Sequence, residues 1–160
     1  MGRALSPGEL REFLDRVTRE ITREAGVALT STEHAREAPE DGLYTVYTTF
    51  NRGVDSSLSL CAGMSLFVRL ARSILRTDRL TPQDVEDVAK EYFNVLCGHV
   101  LAQLYPVTRT PARFNVPAFC RGRHVMEGVL ADIVLNFTDD RQEWVQVIHY
   151  VPCQTPAAPV

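Results

Sequence analysis

The chain has 160 residues, of which 45% are hydrophobic and 23% are charged, and its formal net charge is −3. These values are ordinary for one globular domain, and they exclude the strongly basic surface that nucleic-acid partners need. No run of about 18 apolar residues is present, and the N-terminus lacks the apolar segment of a signal peptide. We therefore expect a cytoplasmic protein with neither a nucleic-acid nor a membrane partner.

The four cysteines are far apart in the sequence and form no C-x-x-C motif: Cys61, Cys97, Cys120 and Cys153. No cysteine–histidine pair has the spacing of metal ligands. In a cytoplasmic protein such cysteines are expected to be reduced thiols. The sequence therefore predicts no metal site.

The first third of the chain predicts a helix followed by strands. Ser6 and Glu9 form a capping box around Pro7, at the start of an amphipathic helix that ends near Gly26. The segments that follow are rich in β-branched and aromatic residues, and they predict strands over 27–32, 43–50 and 57–61, with a turn at Asn51-Arg52-Gly53.

Two helices and further strands follow. Helical periodicity over residues 64–75 predicts a second helix, and Thr81-Pro82 begins a third, which is expected to stop near Leu104, before Tyr105-Pro106. β character dominates from Ala112 onward. The remaining expected elements are a strand over 125–137, a turn at Asp139-Asp140 and a strand over 144–151.

This order of elements predicts an α+β fold in which helices pack on a largely antiparallel sheet. No internal repeat divides the chain, so we expect a single domain over residues 1–151. Residues 152–160 contain three prolines and are expected to form a disordered tail.

The third helix carries an unusual polar stripe. Asp87, Glu91, Asn94 and Gly98 are spaced four, three and four residues apart, so they fall within an arc of roughly 60° on one face. The apolar positions of the same helix occupy the opposite side: Val85, Ala89, Tyr92, Leu96 and Val100. The helix is therefore predicted to bury one side and to display the stripe on the other.

Two members of this stripe are poor helix formers. An exposed Asp87 or Glu91 taken alone is usually no more than a solvated surface residue. Asn94 and Gly98 are less easily explained, because lysine, glutamine or alanine would stabilise an exposed helix position better. We interpret the two unfavourable residues as positions kept for function, where Gly98 lets another protein approach the backbone closely.

The stripe resembles the motif of the CheC/CheX chemotaxis phosphatases. That motif has Asp or Ser, three residues, Glu, two residues, Asn, twenty-two residues and Pro, and it is matched here by Asp87, Glu91, Asn94 and Pro117. A chance match in a chain of this length is on the order of one in several hundred. Gly98 also follows the Asn as it does in the family. The resemblance covers about residues 43–122 and implies a CheC-like fold.

The resemblance implies a phosphatase that hydrolyses the phosphoaspartate of a CheY-like response regulator. An amide cannot act as a general base, but it can hold a water in line with phosphorus, and Asn94 fits that role. The family analogy gives Glu91 a salt bridge to the regulator's active-site lysine and lets Asp87 and Gly98 assist docking. Pro117 is expected to be structural. The chain would need no cofactor of its own, since the Mg²⁺ would belong to the regulator.

Only one copy of the motif is present, which favours the CheX type over the two-copy CheC type and implies a homodimer. A second hypothesis stays open, in which a CheX-like module binds a response regulator without hydrolysing its phosphate. Two departures from the family pattern motivate this alternative. Tyr92-Phe93 is bulkier than the small aliphatic pair expected between Glu91 and Asn94, and Ser56 or Ser57 stands where the family's hairpin usually has a second glycine. In a third hypothesis, the strand-rich C-terminal half forms a dimer by edge pairing.

Overall fold

The computed structural model describes residues 2–34, 36–51, 56–124 and 126–153. These residues form three helices and seven strands. In chain order the elements are α1 (Pro7–Glu24), β1 (Leu29–Ser31), β2 (Leu43–Asn51), β3 (Ser56–Gly63), α2 (Met64–Leu75), α3 (Pro82–Thr108), β4 (Arg113–Phe114), β5 (Ala118–Arg121), β6 (Val129–Asp139) and β7 (Trp144–Pro152). Arg52 and Gly53, where a turn was predicted, lie outside the described residues.

The strands form one antiparallel sheet. Its order is β1-β6-β7-β3-β2, and β4 and β5 both pair with the outer edge of β2. β2 and β3 follow one another in sequence and form one hairpin, and β6 and β7 form another. The pairing of β3 with β7 joins the two hairpins into one sheet. The α+β prediction, with helices on a largely antiparallel sheet, is confirmed.

The three helices cover one face of this sheet. A row of directly paired strand residues crosses that face and is almost fully buried: Val46, Leu60, Val147 and Leu135. The buried sides of the helices complete the core, with Val17 of α1, Phe67 of α2 and Phe93 of α3 each having no exposed surface. Each such side chain stabilises the fold by about 1.5–3 kcal/mol through the apolar surface it removes from water.

The helix starts follow their sequence signals. Ser6 accepts a hydrogen bond from the Glu9 amide, and the Glu9 carboxylate accepts one from the Ser6 amide. Thr81 and Asp84 form the same reciprocal pair at the start of α3. These caps satisfy amide groups that have no acceptor within the helix, and they fix where each helix begins.

The predicted end of the third helix is wrong. α3 continues through Pro106 to Thr108, where Arg109 adopts a left-handed conformation and donates its amide to the Tyr105 carbonyl at 2.8 Å. Pro106 removes only one helical hydrogen bond, because the helix ends two residues later. The strand expected over 125–137 begins at Val129.

The last strand extends to the boundary proposed for the domain. β7 ends at Pro152, and the Cys153 amide donates to the Gly128 carbonyl at 2.9 Å. The expected tail falls mostly on residues 154–160, outside the described part of the chain, so the domain limits stay a prediction. Within the described ranges, no helix has the length and apolar character to cross a membrane.

Candidate functional site

The scaffold of the candidate site is α3. Its buried side includes Tyr92, Phe93 and Leu96, which are 3%, 0% and 0% exposed. The Tyr92 hydroxyl hydrogen-bonds the buried hydroxyl of Thr22 in α1. Burial raises the pKa of the Tyr92 phenol, so this group stays neutral and uncharged within the core. These contacts fix the rotation of α3 about its axis and so determine which side chains face outward.

The predicted stripe faces outward. Asp87, Glu91 and Asn94 are exposed, and Gly98 is half-buried on the same face. Asp87 and Asn94 are seven positions apart, which corresponds to about 10 Å along the helix axis. The structure therefore brings the four predicted site residues together on one accessible surface, which we call the α3 stripe.

The α3 stripe has both engaged and unengaged polar groups. Asp87 Oδ1 accepts a hydrogen bond from Gln83 Nε2 at 2.8 Å. Among the residues that the structure describes, no side chain hydrogen-bonds or ion-pairs with Glu91 or Asn94. A carboxylate and an amide thus lie one helical turn apart and face solvent, where both can bind groups of a partner.

The N-terminal half of α3 is acidic. Asp84, Glu86, Asp87 and Glu91 lie there with a single cation, Lys90. Lys90 Nζ is 3.8 Å from Glu86 Oε2, at the side of the stripe. Of these carboxylates, Asp84 lies in the first turn, where the helix dipole favours a negative charge. The resulting negative potential favours a partner that presents a positively charged side chain.

Gly98 has no side-chain space filled by a neighbour among the residues that the structure describes. A Cβ built on Gly98 meets nothing within 4 Å, and its backbone conformation is one that any residue adopts. Glycine in a helix is unfavourable by about 0.8–1 kcal/mol relative to alanine. The open surface beside Asn94 is therefore not required by the packing of the described residues.

The bulky pair between Glu91 and Asn94 does not crowd the α3 stripe. Tyr92 and Phe93 both point into the core, where they pack with α1, α2 and the sheet. Their size affects the interior and not the outward surface. Of the two departures that motivated a purely binding module, the bulky pair is thus explained by core packing.

Pro117 lies in a β-bulge at the edge of the sheet. Phe114 pairs with Phe50, and Ala118 pairs with Tyr47. The segment that joins β4 to β5 therefore has one residue more between these pairs than β2 has. Thr48 stabilises the bulge, since its hydroxyl donates to the Asn115 carbonyl at 2.6 Å. A proline suits this place because the irregularity needs no amide donor.

The bulge adjoins the strand that supports α3. β5 begins directly after Pro117, and it packs against α3. Phe119 of β5 contacts the core and lies edge-on to Phe67, with ring centroids 5.2 Å apart. Pro117 thus lies beside the α3 scaffold and outside the α3 stripe, and its structural role stays a prediction.

Other chemistry-bearing groups do not assemble into a site. Over the described ranges, no cluster of three or more His, Cys, Asp or Glu side chains could hold a metal ion. All four cysteines are unpaired. Burial raises the pKa of the Cys61 and Cys97 thiols, which disfavours the reactive thiolate.

The sequence interpretation missed two exposed apolar residues on α3. Val95 is 42% exposed and lies beside Asn94, and Tyr105 is 48% exposed near the helix end. Tyr105 is seven residues after Gly98, or two helical turns, and therefore continues the α3 stripe. This spacing could have revealed it, but the helix was predicted to end before Tyr105.

The chain matches the sequence model of a known protein family. The sequence model described as chemotaxis phosphatase CheX matches residues 44–138, more than half of the chain. The matched range includes every residue of the α3 stripe and Pro117. No curated protein matches the chain significantly.

Solved structures share the fold. The chemotaxis protein CheX of Desulfovibrio desulfuricans superposes with a TM-score of 0.69 at 16% identity, covering 88% of this chain and 97% of that one. CheX in its complex with CheY, BeF3 and Mg from Borrelia burgdorferi gives a TM-score of 0.66 at 13% identity, with 91% and 96% covered. A CheC-like protein of Shewanella oneidensis gives 0.61 at 17% identity, with 86% and 94% covered. The CheC-like fold is thus confirmed.

Proposed function

Because the chain belongs to the chemotaxis phosphatase CheX family, we propose that it hydrolyses the phosphoaspartate of a CheY-like response regulator. One observation carries the proposal: the amide of Asn94 and the carboxylate of Glu91 face solvent one helical turn apart, on a helix whose other side is locked in the core. A partner can therefore receive both groups without any rearrangement of the fold.

Asn94 is proposed to position the attacking water. Its amide oxygen accepts a hydrogen bond from the water, which aligns the water with the phosphorus atom. The water oxygen bonds to phosphorus, the bond between phosphorus and the aspartyl oxygen breaks, and its electron pair returns to the regulator's carboxylate. Inorganic phosphate leaves with both protons of the water, since the amide of Asn94 cannot accept one. The transition state is loose, so positioning and charge stabilisation supply most of the acceleration.

Glu91 is proposed to dock on the lysine of the regulator's active site. A charge-assisted hydrogen bond from that lysine would fix the rotation and depth of the helix, and with them the place of Asn94. Asp87 adds negative charge a further turn back, and Gly98 allows close contact beyond Asn94. In this proposal the Mg²⁺ that neutralises phosphoryl charge is held by the regulator.

The proposal is tested by the decay of a phosphorylated CheY-like regulator with Mg²⁺ present. The wild-type chain should accelerate the decay. Asn94→Ala should return it to the intrinsic rate of the regulator, since no other amide in the α3 stripe can orient the water. Glu91→Ala should raise KM more than it lowers kcat, because Glu91 acts through docking.

Matched controls separate the site from the helix surface. Gln103 is an exposed amide on another side of α3, and Glu12 is an exposed carboxylate on α1. Gln103→Ala and Glu12→Ala should leave the decay as in wild type. Equal effects of Asn94→Ala and Gln103→Ala would refute the assignment of Asn94.

A binding module without hydrolysis is distinguished by two measurements on one sample. Binding of the regulator's beryllofluoride form with no acceleration of phosphate decay would favour that module over the phosphatase.

Homodimerisation is proposed from the single-motif type alone. A dimer mass by light scattering at micromolar concentration would support it, and a monomer mass would remove it.

A further inference from the structure

The exposed face of α3 does not end at Gly98. Relative to Asn94, Gly98 lies about 40° around the helix axis, Ala102 about 80° and Tyr105 about 20°. Val95 lies about 100° away, at the side of the same face. Of these, Val95, Ala102 and Tyr105 are exposed and Gly98 is half-buried. We call these four residues the apolar track.

The apolar track differs from the rest of the exposed face in its chemistry. The N-terminal half of α3 displays carboxylates, whereas the track displays small or apolar side chains and no charge. Valine is a poor choice for an exposed helix position, since its branched side chain loses rotamer freedom there without the benefit of burial. An exposed valine and an exposed tyrosine beside a bare glycine are features of surfaces that contact other proteins.

The helix backbone adds a polar group to the end of the track. Pro106 lies inside α3 and has no amide hydrogen, so the carbonyl of Ala102 receives no helical hydrogen bond from position 106. Ala102 is exposed, so its backbone lies at the surface of the apolar track. Together with the Tyr105 hydroxyl, the carbonyl gives the apolar track a polar terminus.

The dimensions of the face match a single partner. Asn94 and Tyr105 are 11 residues apart, or about 16 Å along the axis. A standard protein–protein interface covers about 800 Å² on each partner, which corresponds to a disc of roughly 16 Å radius. A partner centred on Asn94 therefore covers the acidic half and reaches Tyr105 on the other side.

We propose that the apolar track is the affinity-determining half of the docking surface for the response regulator. The inference rests on the proposed function. Asn94 and Glu91 enter the partner's active site, Val95 packs at its rim, and Tyr105 packs on an apolar patch of the same partner about 16 Å along the helix axis. The apolar track thus determines which regulator binds and with what affinity, whereas Asn94 determines the rate of phosphate hydrolysis.

The occupant is the regulator and not a second copy of this chain because the track is continuous with Asn94. A second copy packed on α3 through this track would cover the residue that must reach the phosphate. Charge supports the same choice, since the acidic half of the face favours a partner carrying a lysine near its active site. A second copy on the track is an outcome that the test below detects.

The test separates affinity from turnover. Tyr105→Ala and the isosteric Val95→Thr are compared with wild type for decay of the phosphorylated regulator and for affinity toward its beryllofluoride form with Mg²⁺. Each variant should raise KM and Kd by at least about five-fold. The increase should be larger for Tyr105→Ala, because tyrosine is enriched among the residues that dominate binding energy. The kcat, measured at a saturating concentration of the phosphorylated regulator, should stay within two-fold of the wild-type value.

Leu130→Ala provides the matched control. Leu130 is an exposed apolar residue on β6, away from α3, and it should change none of these values. Unchanged KM and Kd in both track variants, with wild type active, would overturn this inference and leave the proposed function intact. Loss of kcat with unchanged Kd would also overturn it. A dimer mass that these two variants convert to monomer would assign the track to a second copy.

Failure of the proposed function gives a different pattern. If wild type binds the beryllofluoride form without accelerating decay, the phosphatase proposal fails, and the Kd values of the track variants still decide this inference. If wild type binds no response regulator encoded in the same genome, both are refuted.

Discussion

Substitution of Gly98 by alanine should move stability and activity in opposite directions. The added methyl group meets no atom within 4 Å, so it introduces no clash within the chain. Alanine is better than glycine in a helix interior by about 0.8–1 kcal/mol. Urea unfolding should therefore show a gain of up to about 1 kcal/mol, and the melting temperature should rise by about 2–4 °C for a domain of this size.

The same methyl group should impair contact with the regulator. An extra methyl in a well-packed contact typically costs about 1–3 kcal/mol. For kcat/KM this corresponds to a loss of roughly five- to 150-fold. The assay is the decay of the phosphorylated regulator at several concentrations of the variant, compared with the unfolding curve of the same preparation.

Gly8 offers a control for the stability effect. Gly8 lies in the first turn of α1, and a Cβ there also meets nothing within 4 Å. Gly8→Ala should leave dephosphorylation unchanged. If Gly98→Ala were more stable and fully active, docking would not explain this glycine. If it were less stable than wild type, the space around Gly98 would not be open as described.

Two further predictions concern the fold. Asp139→Ala should lower the free energy of unfolding by about 3 kcal/mol in urea titrations. The fully buried carboxylate accepts hydrogen bonds from Arg69 at 3.1 Å and from two backbone amides at 2.9 Å each, and all three donors lose their acceptor in the variant. An unchanged midpoint of unfolding would refute this role. Hydrogen bonds from Arg3 and from the Ser6 amide hold the pKa of Glu9 at about 2, so its stabilisation is complete above the ordinary value of 4.5 and is lost as pH falls toward 2. Glu9→Gln should thus be less stable than wild type at pH 7, and the difference should disappear near pH 2.

Much of the local structure could be predicted because it is encoded by neighbouring residues. The capping box at Ser6 and Glu9 requires only three residues of sequence, and the start of α3 at Thr81 follows the same rule. The α3 stripe was predictable for a similar reason, since helical geometry alone places Asp87 and Asn94 on one face.

The features that could not be predicted depend on distant residues. A proline usually ends a helix, and only the end at Arg109 shows why Pro106 is tolerated inside α3. The bulge at Pro117 arises from the register of β4 and β5 against β2, which no local pattern of sequence specifies. The direction of Phe93 follows from packing of all three helices on the sheet, and its burial changed the interpretation of the motif.

The most direct test of the central claim compares wild type with Asn94→Ala at saturating concentration on a phosphorylated CheY-like regulator. Affinity for the beryllofluoride form is measured in parallel. The variant should bind within a few-fold of wild type, while phosphate decay returns to the regulator's intrinsic rate. Acceleration that persists in the saturated Asn94→Ala complex would contradict the claim that this amide positions the attacking water.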